Sequence, residues 1–256
     1  MQRNCLNIRN KKAKTSKSPS SGTVKKPSAN VKKNFAVSNE SSLHRTLKYS
    51  YAGPGGKTEE EVGIFVADGI RRDGEYIEVQ IGSFAPLKKK IKEFASLGRV
   101  RIIHPVAVTK RIEVYDTRGK LLYRRKSPVH GSIWNLFDTL IYAPELPLIP
   151  GTAIEIVMAD ITEKRVRDGK GSWRRKGISI KDRELAAWHE SVLFKKPSDY
   201  RRFVPFKKSE KFTGSQLAER AGIDKWTARK ALYVLTKLKV VKRIDKKGNS
   251  LVYVKN

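Results

Sequence analysis

The chain has 256 residues with 55 Lys and Arg against 25 Asp and Glu, a formal charge of +30 that implies an anionic partner, nucleic acid first and an acidic membrane surface second. Its length allows one medium domain with a smaller one beside it, or two small ones with a tail, and an apolar content of 39% suffices for a core. One cysteine, Cys5, and four scattered histidines exclude a disulfide scaffold and a Cys/His zinc site; no apolar run spans a bilayer and no secretory signal opens the chain, which suits a cytoplasmic protein.

Residues 1–37 hold ten basic residues and no acid, in a Ser-, Pro-, Asn- and Lys-rich stretch that cannot bury a core. That composition reads as a disordered tail, either merely solvated or adding phosphate contacts. Segment 38–197 opens with a helix capped by Ser38 or Asn39, striped by Leu43 and Leu47 and stopped by Gly53-Pro54-Gly55-Gly56. Val62–Ile70 and Glu75–Ile81 read as strands joined by the turn Arg71-Arg72-Asp73-Gly74. A helix follows from Ser83 towards Leu97, with Phe84, Leu87, Ile91 and Phe94 at helical spacing and Gly98 at its end. Val100–Val108 reads as a buried strand, Thr117-Arg118-Gly119 as a hairpin turn, Ser132–Ile141 as a helix and Ala153–Ala159 as a strand. This succession predicts an α/β fold, a mixed sheet flanked by helices.

At the C-terminal end, Thr213-Gly214-Ser215-Gln216 fits a capping box, in which the Thr side chain takes a backbone N–H and the Gln reciprocates. Its helix carries Leu217, Ala218 and Ala221 and stops at Gly222. Asp224 caps a second helix, with an apolar stripe of Ala228, Ala231, Leu232, Leu235 and Leu238. The other face carries Lys225, Trp226, Arg229, Lys230, Tyr233 and Lys237. Val240–Ile244 and Leu251–Val254 read as strands around a turn at Asp245–Asn249. Helix, turn, helix and basic hairpin, with a preceding helix over Ser198–Phe203, resemble a winged helix-turn-helix domain spanning 198–256. The resemblance implies DNA as partner: Lys225, Trp226 and Arg229 would face base edges, Lys230 and Tyr233 share that surface, and Lys246 and Lys247 would meet phosphate. A winged helix can also serve protein contact, but 14 basic against 4 acidic residues in 207–256 favour DNA.

Asp68 and Glu78 are equidistant from Asp73 in the first hairpin, so a symmetric turn sets them opposite each other on one face, and Gln80 shares that face. Two carboxylates among apolar neighbours repel unless a divalent cation or basic groups neutralise them, and hard oxygen ligands suit Mg2+. Helix, Asp on one strand, Glu-x-Lys on the next and then a helix resemble the core of the PD-(D/E)xK nucleases, with Gln80 where the Lys usually stands. The resemblance covers Asn39–Lys92 and implies a restriction-endonuclease-like mixed sheet. It also implies Mg2+ on Asp68 and Glu78, a water oriented by Gln80, and Glu40 helping from the first helix. A Lys could instead enter from Lys88, Lys89, Lys90 or Lys92. Glu40, His44 and Lys48 recur every four residues on one helix face. The arrangement also resembles a group of bacterial proteins that join such a core to a C-terminal winged helix. The alternative is a non-enzymatic DNA-binding regulator that keeps the nuclease-like fold, with both carboxylates held by basic residues.

Arg124-Arg125-Lys126 and Trp173-Arg174-Arg175-Lys176 are further basic runs, and Arg174 and Arg175 join the candidate DNA contacts. Gly169-Lys170-Gly171-Ser172 lacks the spacing of a phosphate loop, so no small-molecule cofactor is expected. No helix combines a basic face with exposed bulky apolar residues, which counts against a membrane partner.

Overall fold

The structure is a computed structural model that describes residues 40–256, all within one compact unit. The basic tail and the caps expected at Ser38 or Asn39 lie outside the described residues. The first helix, α1 (Ser42–Ala52), is instead capped by Ser41, whose Oγ accepts from the His44 N–H at 3.3 Å. Leu43, Leu47 and Tyr51 bury its expected stripe against one face of a sheet, on Ile77, Val79, Ile103 and Val157.

That sheet is mixed. Strands β1 (Lys57–Val62), β2 (Phe65–Ile70) and β3 (Tyr76–Val79) form an antiparallel meander. Helix α2 (Leu87–Leu97) then crosses to the face opposite α1 and packs Leu87, Ile91 and Phe94 there. It begins later than expected because Pro86 occupies the cap, although Phe84 ahead of it is fully buried. Strand β4 (Val100–Tyr115) lies parallel to β3, and β5 (Leu121–Lys126) folds back on its far half. A short 3-10 turn and α3 (Leu136–Leu140) lead to β6 (Thr152–Arg167), parallel to β4, and β7 (Ile178–Phe194), antiparallel to β6. The order is β1-β2-β3-β4-β6-β7.

Several strands depart from the sequence reading, and Val62–Ile70 is not one strand, since Val62 closes β1 and a turn at Gly63-Ile64 leads to β2. β1, Lys-Thr-Glu-Glu-Glu-Val, is an edge strand whose side chains alternate between exposed and half-buried, so it has no apolar run to announce it. β7 is mostly half-exposed for the same reason. β4 and β6 each run to 16 residues, well past the apolar stretches expected at Val100–Val108 and Ala153–Ala159. The apolar pattern stops where the sheet leaves the core, not where the strands end.

After β7 come a 3-10 helix (Pro197–Phe203) where an α-helix was expected, a two-residue β8 (Phe212–Thr213), α4 (Gly214–Ala221) and α5 (Lys225–Lys237). Strands β9 (Val241–Lys247) and β10 (Ser250–Lys255) follow, and the small sheet runs β8-β10-β9. The capping box forms: Gln216 N–H donates to Thr213 Oγ1 at 3.4 Å and Thr213 N–H to Gln216 Oε1 at 2.8 Å. Gly222 ends α4 at φ +63°, a left-handed position that glycine takes without strain. Asp224 Oδ1 accepts the N–H groups of Trp226 and Thr227 to start α5, and the expected stripe Ala228, Ala231, Leu232, Leu235 and Leu238 is buried. The hairpin turn is shorter than expected. Lys246 and Lys247 belong to β9, opposite Leu251 and Ser250, which leaves Gly248 and Asn249 as the turn. The core does not break at residue 198. Phe203 packs edge-on against Phe137 (ring centroids 4.7 Å apart) and Trp134 (4.9 Å) and stacks on Phe194 (5.5 Å), and one apolar cluster joins these to Leu217 and Leu235. Truncating Phe203 to Ala would cost about 3–5 kcal/mol and loosen the join.

Candidate functional site

The register of β2 and β3 pairs Gly69 with Ile77 and Ile70 with Tyr76, centred on Asp73 as the turn symmetry predicts, with Asp68 and Glu78 next along their strands. The regular ladder ends at the Gly69 pair, and Asp68 takes over: its Oδ2 accepts the Val79 N–H at 2.7 Å. Glu78 is buried at 4% exposure on the α2 side, where Lys90 Nζ stands 2.5 Å from its Oε2. At that distance the ammonium is a charge-assisted donor to the buried carboxylate. Burial and the neighbouring Asp68 charge push the Glu78 carboxyl up to about 7, against the pull of Lys90 and His44. Asp68 goes the other way. Burial would raise it, but His44, Lys90 and the Val79 N–H outweigh burial and hold it below the usual range.

His44 ties the helix to the hairpin. Its Nε2 lies 3.2 Å from Asp68 Oδ2 and 2.9 Å from the Val79 carbonyl, and its Nδ1 lies 2.5 Å from Glu40 Oε1. Burial works against the imidazolium, but Asp68 and then Glu40 overcome it and raise His44 to about 9. With both ring nitrogens protonated, each faces an acceptor. Glu40 is held down despite burial by Lys48 (2.9 Å) and His44. Lys48, fully buried, also pairs with Glu59 at 2.6 Å.

Asp68 lies near enough for its charge to act on Glu78, with His44 of α1 holding Asp68 and Lys90 of α2 holding Glu78, but Glu40 reaches them only through His44. Gln80 is turned elsewhere: its Nε2 donates to the Ser83 carbonyl at 2.7 Å, and its backbone carbonyl accepts from His104 Nδ1 at 2.7 Å. The cation beside Glu78 is Lys90, one of the four lysines noted on the second helix. Helical spacing singles it out, because Lys90 is three residues after Leu87 and four before Phe94, both buried. Among the described residues, no group of three or more His, Cys, Asp or Glu is placed to hold a metal ion.

The C-terminal surface is separate from this pair. Lys225, Trp226, Arg229 and Tyr233 are exposed on α5, with the Arg229 guanidinium 5.2 Å from the Trp226 ring centre. Lys230 differs: it pairs with Asp138 of α3 at 2.7 Å and so faces the sheet domain. A groove of about 590 Å³ lies between α5, the start of α4 and the β9–β10 hairpin, lined by Lys225, Arg229, Lys237 and Arg243. Lys246 and Lys247 are exposed near the hairpin tip. Arg174 is exposed beside Trp173, while Arg175 is half-buried and donates to the Ile178 carbonyl at 3.2 Å. No helix of the described residues is long and apolar enough to cross a membrane.

Residues 41–195 match the family described as Domain of unknown function (DUF8091). The chain belongs to that family. The match takes in α1 to β7 and hence His44, Asp68, Glu78 and Lys90, though not Glu40, and it stops before the α4–α5 pair. A protein of Treponema pallidum (strain Nichols), named only "Uncharacterized protein", is 27% identical over 217 residues, covering 84% of this chain and 85% of its own length. No solved structure matches.

Proposed function

We propose that this chain is a DNA-binding protein with a restriction-endonuclease-like core and a winged helix-turn-helix, and that it cleaves phosphodiester bonds with Mg2+ at Asp68 and Glu78. The observation that carries the reading is the convergence of Asp68, Glu78 and Lys90 at the hairpin, with α1 and α2 on opposite sheet faces in the chain order that PD-(D/E)xK nucleases use. Lys90 supplies from α2 the positive charge that Gln80 cannot.

The residues present fit a hard divalent cation. Glu78 is a buried carboxylate met by one cation, Lys90, and the Asp68 charge beside it raises its proton affinity, so the pair of acids favours a further cation. Asp68 and Glu78 would hold the ion, with water completing its coordination. When bound, Mg2+ lowers the pKa of a water and neutralises charge that develops at phosphorus. His44 fixes the Asp68 carboxylate from the helix side, and Glu40 fixes His44. Lys90 is placed to stabilise an anionic phosphoryl oxygen near Glu78. The exposed face of α5 binds the duplex, with Lys225, Trp226 and Arg229 towards the bases and Lys246 and Lys247 at the backbone.

The second reading, a non-enzymatic regulator, is favoured by one observation: His44 and Lys90 already neutralise both carboxylates without a metal. Melting curves with Mg2+ separate the two. A site that binds only in the folded state gains about 2.7 kcal/mol at a hundredfold excess over Kd. The wild type should be stabilised on that scale and Asp68→Asn should not. Identical curves for wild-type protein with and without Mg2+ would leave the regulator.

A further inference from the structure

The far halves of β4 and β6 extend past the main core, although Ile112, Val114 and Ile161 are still buried there. β3 ends at Val79, opposite Ile103, yet β4 and β6 continue side by side for a dozen residues beyond that level, about 40 Å at strand rise. β5 flanks them on one edge and β7 on the other. The segments that build this arm, 109–126 and 161–184, hold 16 basic and 6 acidic residues, a net +10. The rest of 38–206 holds 15 of each and is neutral. The whole charge excess of the sheet domain therefore sits on the arm.

Few of these cations are used internally. Arg124 pairs with Glu113, Lys164 with Glu184, and Arg165 and Arg183 share Glu163. The other twelve, among them Arg111, Arg125, Lys126, Arg174, Lys176 and Lys181, make no ion pair among the described residues. Concentrating that much unneutralised charge opposes folding, so an anionic surface is the partner that stabilises it.

We propose that this arm is a second nucleic-acid-binding surface, a phosphate clamp that holds the backbone of the duplex beside the Asp68/Glu78 site. The proposal rests on the DNA reading above and adds to it where the substrate runs. Two features favour a nucleic acid over an anionic membrane. The register sets Arg125 on one face, level with Ile112, and Lys126 on the other, level with Arg111. A planar bilayer meets one face, whereas a polyanionic chain follows an edge and both faces. The arm also continues the strand that leads past Gln80, whose N–H is bound to the Ile103 carbonyl at 2.8 Å, so a backbone lying along it arrives at the carboxylates.

The test uses the full chain carrying Arg111→Gln, Arg125→Gln and Lys126→Gln together, all exposed and outside any ion pair, with an unchanged melting temperature as the folding check. Affinity for a mixed-sequence DNA duplex is followed against salt. The slope of log K against log salt should fall by about 0.9 for each phosphate that the arm no longer neutralises, about 2.7 for three. If the wild type binds the duplex and the triple variant keeps its slope, the arm proposal is overturned while the DNA reading stands. If the wild type binds no duplex, both fall. Binding to phosphatidylserine vesicles that the triple change abolishes, with duplex binding untouched, would assign the arm to membranes and also overturn it.

Discussion

Replacing Glu78 with Gln should stabilise the protein at mildly alkaline pH. The folded chain holds the Glu78 proton up to about pH 7, whereas an unfolded chain releases it near 4.5. Between those values the folded state binds more protons than the unfolded. The contribution of this group is therefore fully present below 4.5 and lost as pH rises through 7. At about 1.4 kcal/mol per pH step the span amounts to about 3 kcal/mol, and to about 2 kcal/mol once charge shared with Asp68 and Lys90 is allowed for. Gln keeps the shape of the neutral acid and cannot ionise. Glu78→Gln should match wild type near about pH 4.5 and exceed it by about 2–3 kcal/mol near about pH 8. Urea unfolding in the absence of metal at the two pH values measures this. A drop of about 3–5 kcal/mol at the higher pH would refute the reasoning, because that is the cost of orphaning the half-buried Lys90 from an ion pair that stabilises the fold.

Other outcomes follow from the same structure. His44, raised from 6.5 to about 9, contributes stability that is complete below 6.5 and lost as pH rises through 9, so His44→Gln should flatten the decline in melting temperature across that window. Arg229→Ala or Lys225→Ala in the full chain should each weaken DNA binding by about 1–3 kcal/mol if the side chain reads a base edge, as equilibrium titration would show. Removing residues 1–37, with ten cations and no acid, should lower the salt slope of DNA binding by about 0.9 for each phosphate the tail neutralises, and equal slopes would show that it neutralises none.

The parts of the fold that sequence exposes are those built by apolar periodicity and by caps. Leu43 and Leu47 mark the buried face of α1, and Thr213, Gln216, Gly222 and Asp224 set the limits of α4 and α5, because each acts through neighbours close in the chain. The hairpin register is legible too, since Asp73 fixes its centre and the strand period of two does the rest. The arm is not. Its strands carry charge on both faces, so neither an apolar run nor a clean alternation survives, and β7 is the return strand of a long hairpin with β6, Ile178 opposite Arg167, that no apolar pattern marks. In the site, the carboxylates are legible and their partners only in part. Lys90 is one of four candidates until the Leu87–Phe94 face picks it out, and Gln80 misleads because Ser83, three residues on, captures its amide. The Lys230–Asp138 contact joins α5 to α3 across the chain and leaves no local trace in sequence.

The central claim, that Asp68 and Glu78 form a hydrolytic metal site on a DNA-binding scaffold, is tested most directly by cleavage. Full-length protein is incubated with linear, branched and single-stranded DNA, with Mg2+ or with a chelator, beside Asp68→Asn. The wild type should cut at least one of these substrates with Mg2+ and none with the chelator, while Asp68→Asn binds DNA with wild-type affinity and cuts nothing. Intact DNA binding with no cleavage of any substrate by the wild type would contradict the claim.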